Sequence, residues 1–256
     1  MKEKEKRERK EKGKKMTFER YTRQLPLIGE EGQKKLSQAS VFIAGAGGLG
    51  SPVATYLAAA GVGHITLLDS DVVDETNLNR QFLHGSKDTG RNKTTSGAEK
   101  LRALNPEIEI IEKAEKLTAE NVSDLVGDCQ IIADALDNNE TRQILARFAQ
   151  ETNRPIFHGA VYGWYGQFAA FLPKSGLCYF CVFSEESEQK GKKEPFPIIG
   201  TTAGIIGSIE ANAIIKYIVG KKVECNCLFV WDGLANTLDK IEILKDESCP
   251  VCSKRM

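Results

Sequence analysis

The chain has 256 residues, 41% of them hydrophobic and 27% charged, enough apolar material for one substantial core. Lys+Arg and Asp+Glu both number 35, so no net field draws it to nucleic acid or to an anionic membrane. No stretch approaches the roughly 18 to 20 apolar residues of a membrane span, and the charged N-terminus lacks the apolar run of a secretory signal, so a soluble cytoplasmic protein is expected.

Residues 1–15 (MKEKEKRERKEKGKK) hold no large apolar residue except Met1 and are expected to be a disordered, solvated tail, with Met16 an alternative start. Residues 16–256 then read as a single domain. A helical lead-in is expected over 18–39, a strand over 41–44, a glycine turn and a helix over 51–61. A strand over 65–68 follows, then a loop to Arg91 and a helix over 92–104 that ends before Pro106. Next come a strand over 108–111, a short helix near 119–126, a strand over 130–133 and a helix over 140–152. Short apolar strands alternating with longer helices predict parallel βαβ units. Beyond Pro155 strands over 156–158 and 167–172, a polar loop over 184–197, a helix over 201–219 and strands over 228–231 and 239–243 predict an antiparallel extension. The expected fold is α/β: a Rossmann-like nucleotide-binding fold whose parallel strands are extended by an antiparallel C-terminal part, in one continuous sheet.

The run VFIAGAGGLG places G-x-G-x-x-G at Gly45, Gly47 and Gly50, after a strand and before a helix. Glycines let the backbone turn tightly and approach a phosphate, which the helix N-terminus attracts. Asp69 ends the next strand, where a ribose-binding acid belongs. These features predict a nucleotide site without saying which nucleotide. Three further groups fall at strand ends or adjoining loops: Asn77, Arg80 and Gln81 in NLNRQ, Lys93 at a helix start, and Asp137 with Asn138 in ALDN. Taken together, two cations and a second carboxylate suit a triphosphate with Mg²⁺ better than a dinucleotide. Singly, Arg80 and Lys93 read as surface charges and Asp137 as the cap of the following helix.

The motifs RYTRQ (Arg20 to Gln24), GAGGLG, LLDSD, NLNRQ, GRNK and DALDN, in this order from Phe18 to Cys252, resemble the ThiF/MoeB/HesA family of activating enzymes. The resemblance implies ATP-dependent adenylation of the C-terminal glycine carboxylate of a small ubiquitin-like sulfur-carrier protein, of the kind that ends in Gly-Gly. It implies that Gly48 and its neighbours hold the phosphates and Asp69 the ribose. Asp71, Asn77, Arg80 and Lys93 would line the phosphate site, and Asp137 would bind Mg²⁺. Arg23 would reach the γ-phosphate of the neighbouring subunit of a homodimer.

Cys178-Tyr-Phe-Cys181 and Cys249-Pro-Val-Cys252 are two C-x-x-C knuckles, and four thiolates at this spacing suit a closed, structural Zn²⁺ site, with paired redox thiols or disulfides as the alternatives. Family members often carry such a site. Cys225 and Cys227 read as ordinary turn or buried cysteines, and Cys129 as packing. Many relatives place a cysteine after the first knuckle, but none occurs between Val182 and Val223, so sulfur delivery is expected from a separate donor. The 184–197 loop reads equally as a cover for the carrier's tail or a surface insertion. His64, His84 and His158 are too scattered for a triad; His64 is expected to start a strand and His158 to end one. Phe168, Phe171 and Trp231 read as sheet packing. The competing readings are an NAD-dependent oxidoreductase, an idle carrier-binding subunit, and a tRNA-carboxylate-activating dehydratase of the same superfamily.

Overall fold

The computed structural model describes residues 18–173, 175–183 and 197–253; the expected 1–15 tail and, Pro197 apart, the 184–197 loop lie outside them. A 3-10 turn over Phe18–Tyr21 leads into α1 (Leu25–Gln38), which is broken at Gly29, where φ is 69°. Then β1 (Ser40–Ala44), α2 (Gly50–Ala60), β2 (His64–Leu68), α3 (Lys93–Leu104) and β3 (Glu109–Lys113) alternate along the chain. They continue through α4 (Val122–Val126), β4 (Ile131–Asp134), α5 (Asn139–Glu151) and β5 (Ile156–Tyr162). The C-terminal part comprises β6 (Tyr165–Phe171), α6 (Tyr179–Val182), α7 (Gly200–Ile218), β7 (Cys227–Asp232) and β8 (Thr237–Glu242).

One eight-stranded sheet runs in the order β3-β2-β1-β4-β5-β6-β7-β8. The strands from β3 to β5 pair in parallel and those from β5 to β8 antiparallel, as the pattern of the sequence predicts. Alternation along β1 sends Val41 and Ile43 to one face and Phe42 and Ala44 to the other. The first pair packs with Leu57, Ala58 and Ile214 from α2 and α7. The second packs with Leu145 and Ala149 from α5 and with Phe171 and Cys178. Central strands covered on both faces in this way read as continuous apolar runs. Phe168, Phe171 and Trp231 lie in this packing, with Phe168 and Phe229 ring centroids 6.1 Å apart.

Of the boundaries that differ from expectation, three have a visible local cause. β3 reaches Lys113, beyond the expected Ile111, because it pairs with all of β2, and as an edge strand it can leave charged side chains in water. The short helix begins only at Val122, since the Asn121 side chain accepts the Thr118 N–H and holds that segment in a turn. The β5–β6 hairpin is longer than expected, running to Tyr162 and back from Tyr165. His158 is therefore inside β5 and buried, not at a strand end.

Candidate active site

The sheet order reverses between β1 and β4, and the C-terminal ends of parallel strands beside such a switch are where open α/β sheets hold ligands. The glycine turn leaves β1 here and feeds the N-terminus of α2. Gly45 has φ 104°, and a Cβ there would lie 2.6 Å from the Ala135 carbonyl oxygen. A Cβ on Gly50 would lie 1.9 Å from the Gly45 oxygen. Both positions therefore need glycine for backbone packing alone. Gly47 and Gly48 are roomier: their nearest neighbours to a Cβ are Gln81 Nε2 at 3.6 Å and Ala203 Cβ at 3.3 Å. Carbonyls of the turn, which would repel an anion, are tied back into the protein. Gly47 O accepts from Ser51 Oγ at 2.7 Å, and Ala46 O accepts from His84 Nε2 at 2.9 Å.

Asp69 follows β2 and accepts the Ala46 N–H at 2.8 Å and the Asp71 N–H at 2.8 Å. Burial raises its pKa, and the charge of Lys93 pulls it back down. Each carboxylate oxygen retains a lone pair for a further donor such as a ribose hydroxyl. Lys93 opens α3 and is buried, with Nζ 2.9 Å from Asp71 Oδ2 at the exposed end of the pair. Arg80 lies over Gly48, its Cγ 3.5 Å from where a Cβ would be, and donates to Thr76 O and Asn79 Oδ1 at 3.0 Å each. Gln81 is buried over Gly47, and its Oε1 has no hydrogen-bond partner among the described residues. The Asn77 side chain accepts the Asp74 N–H, closing a capping box within its own turn.

After β4, the loop holding Asp137 abuts the turn, since a Cβ on Gly45 would also meet the Leu136 nitrogen at 3.5 Å. Asp137 is exposed there. Asn138, not Asp137, caps α5, accepting the Thr141 N–H at 2.9 Å, so the capping alternative for Asp137 is overturned. Arg23 is exposed in the turn before α1. The fold thus gathers the glycine turn, Asp69, Asp71, Arg80, Gln81 and Lys93 at one point, with the Asp137 loop beside them.

Two groups of residues were not anticipated. His84 sits beneath the glycine turn, bridging Ala46 O and Ser96 Oγ, and burial lowers its pKa. Deeper lie Asp134, Arg142, His158 and Glu210, all buried. Burial lowers the pKa of His158 and raises that of Glu210 well above the usual carboxylate range. Burial and the charge of Asp134 push the Tyr179 phenol to about 12. The nearest sequence signal is the first acid in DALD, Asp134.

The four knuckle cysteines converge, although their pairs come from opposite ends of the C-terminal part. Cys178 Sγ lies 3.8 Å from Cys181 and 3.6 Å from Cys249, and Cys181 Sγ lies 3.5 Å from Cys252. All four sulfurs fall within 4.8 Å of one another. A tetrahedron with Zn–S bonds of about 2.3 Å has S···S edges of roughly 3.8 Å, so the donor set fits Zn²⁺. A disulfide at about 2.05 Å does not match these separations. Cys129 and Cys227 are buried in packing. Among the described residues no helix is long and apolar enough to cross a membrane.

The model of the ThiF family matches residues 21–251. Sulfur carrier protein ThiS adenylyltransferase of Escherichia coli strain K12 is 34% identical over 239 residues, covering 92% of this chain and 95% of that protein. Adenylyltransferase and sulfurtransferase MOCS3 of Xenopus laevis is 38% identical over 240 residues and covers 91% of this chain but 53% of that protein, so the chain spans about half its length. Among solved structures, E. coli MccB with ATP has a TM-score of 0.82 over 91% of this chain and 74% of that one at 23% identity, a likeness of fold. With its match running nearly end to end through the described residues, the chain belongs to the ThiF family and is an adenylyltransferase.

Proposed function

We propose that this chain uses ATP and Mg²⁺ to adenylate the C-terminal glycine carboxylate of a small ubiquitin-like sulfur-carrier protein ending in Gly-Gly. The observation that carries this reading is the joining of a glycine turn and a ribose-type acid with Lys93 and Arg80 at one sheet switch point. The names of its full-length relative, a sulfur carrier adenylyltransferase, supply the substrate class.

In this reading Gly47 and Gly48 let the phosphate chain lie against the backbone, at the N-terminus of α2. Asp69 takes the ribose hydroxyls. Asp71, Asn77, Arg80, Gln81 and Lys93 line the phosphates, and Asn138 fixes the start of α5 behind them. Asp137 presents a hard oxygen donor at the rim and would hold magnesium. Bound there, the metal would neutralise charge on the phosphate oxygens. An oxygen of the carrier carboxylate attacks the α-phosphorus, the bond to the β-phosphate oxygen breaks, and pyrophosphate leaves. Charge grows on the departing oxygens, and Arg80 and Lys93 stabilise it. The product is an acyl-adenylate. A carboxylate resists attack by sulfur because oxide would have to leave; the adenylate offers a phosphate monoester instead.

Arg23, exposed before α1, serves the partner's active site in a homodimer. The Cys178, Cys181, Cys249 and Cys252 site holds structural zinc, sulfur comes from a separate donor, and the reaction is cytoplasmic. An NAD-dependent oxidoreductase would leave Arg80, Lys93 and Asp137 without work. A tRNA-directed dehydratase fits poorly with a formal net charge of +0. The test is carrier-dependent exchange of radiolabelled pyrophosphate into ATP. Exchange that requires a Gly-Gly carboxylate supports the proposal; absence of exchange with every carrier encoded beside this chain refutes it.

A further inference from the structure

Beneath the candidate active site, four titratable side chains from four elements meet in the interior: Asp134 at the end of β4, Arg142 in α5, His158 in β5 and Glu210 in α7. Their exposures are 0%, 9%, 1% and 0%. Burying titratable groups is expensive unless they are held, and here Asp134 and Arg142 each hydrogen-bond to the backbone of one residue, Leu136. Asp134 Oδ1 accepts the Leu136 N–H at 3.2 Å. Arg142 Nη2 donates to the Leu136 carbonyl on the other side of the same residue and to Gly159 O at 3.2 Å. Arg142 Nε lies 3.7 Å from Asp134 Oδ1, and His158 Nδ1 donates to Asp134 Oδ2 at 2.7 Å. A carboxylate only accepts, so that nitrogen of His158 carries the proton. Tyr179 and Phe183 pack against the imidazole with ring centroids 5.3 and 4.9 Å away, fixing its plane.

The clasped residue immediately precedes Asp137. We infer that Arg142 and Asp134 are positioning residues that grip Leu136 from both sides and thereby aim the Asp137 carboxylate at the divalent cation of the nucleotide. This deepens the adenylation reading and rests on it. Arginine suits the task because its planar fork reaches the Leu136 carbonyl, the Gly159 carbonyl and Asp134 together; a lysine supplies charge without the fork. The arrangement follows the general pattern in which residues behind a metal ligand set its direction, and their loss costs about 10- to 100-fold in metal affinity or activity.

The test compares wild type with Arg142→Lys, which lacks the fork, and with Asp134→Ala, which removes the acceptor of the Leu136 N–H. Binding of Mn²⁺ in the presence of ATP is followed by electron paramagnetic resonance, which needs no turnover, and the Mg²⁺ midpoint of pyrophosphate exchange is measured alongside. Both variants should need roughly 10- to 100-fold more cation. Their affinity for ATP without metal should be unchanged, and excess Mg²⁺ should restore most of the exchange rate. A purely structural role would lower the melting temperature and leave the cation midpoint in place, and that result overturns the inference. The adenylation reading fails separately: a wild-type chain that binds no Mn²⁺ with ATP refutes that reading and the positioning role with it, whereas wild-type binding with unmoved variant midpoints refutes the positioning role alone.

Discussion

Gly47 and Gly50 belong to one motif, yet the structure assigns them different duties, and an alanine at each separates the two. At Gly50 the new methyl would lie 1.9 Å from the Gly45 oxygen and 2.8 Å from its carbonyl carbon, both backbone atoms that cannot swing aside. Overpacking of this kind costs about 1–3 kcal/mol or more, and taking about 3 gives a melting temperature lowered by roughly 6–12 °C in a chain of this size. At Gly47 the methyl meets only Gln81 Nε2, at 3.6 Å, and φ is not left-handed there. Gly47→Ala should therefore keep or gain stability, by about 0.4–1 kcal/mol, through the reduced freedom of the unfolded chain. With the proposed ATP site its cost would fall on function, because the methyl would stand where that reading brings the phosphate against the backbone. A displacement near 1 Å at a reacting group costs on the order of 100-fold. Thermal melts and ATP–Mg²⁺ calorimetry on both variants decide the matter. A Gly50→Ala chain melting with wild type, or a Gly47→Ala chain binding ATP at wild-type affinity, would refute the division of labour.

Glu210 is buried and its raised pKa means the folded chain keeps a proton that the unfolded chain releases above about 4.5. Stability from this group is thus whole below 4.5 and declines as pH rises toward the folded value. Asp134 adds to the effect and Arg142 opposes it. Glu210→Gln should match wild type in melts near pH 4 and exceed it near pH 7; equal stability at both would contradict the assignment. Stripping metal with a strong chelator should release about one zinc per chain and lower the melting temperature, and Cys249→Ser should purify without zinc. Zinc-free wild-type protein of unchanged stability would remove the structural site. Arg23→Ala and Asp137→Ala should each lose pyrophosphate exchange, and mixing the two should restore part of it in heterodimers if Arg23 works across the subunit interface; no recovery would place Arg23 within its own subunit.

What was readable in the sequence was local. The turn from Gly45 to Gly50 and the acid at Asp69 declare themselves because motif, strand and helix lie within one βαβ unit, and each cysteine knuckle is a four-residue signal. The buried set was not readable, since Asp134, Arg142, His158 and Glu210 arrive from four elements and none shows a pattern alone. Glu210 in particular sits among apolar residues of α7, where periodicity announces only a core helix. Glycine weakens a strand pattern, yet the hairpin runs through Gly159 and Gly166, which are small so that Glu210 and Ile206 can pack on the sheet, at 2.8 and 2.4 Å from where a Cβ would be. The sequence offers Asp137 as the cap of the following helix, and the observed Asn138–Thr141 bond frees it for other work.

The central claim is that the carboxylate of a protein carrier attacks the α-phosphorus of ATP, and isotope transfer tests it most directly. A carrier whose terminal glycine carboxylate is labelled with heavy oxygen is incubated with the enzyme, ATP and magnesium, and the acyl group is then captured with hydroxylamine. Adenylation predicts the heavy oxygen in the AMP released and none in inorganic phosphate. Label in phosphate, or AMP carrying only oxygen from water, would contradict it.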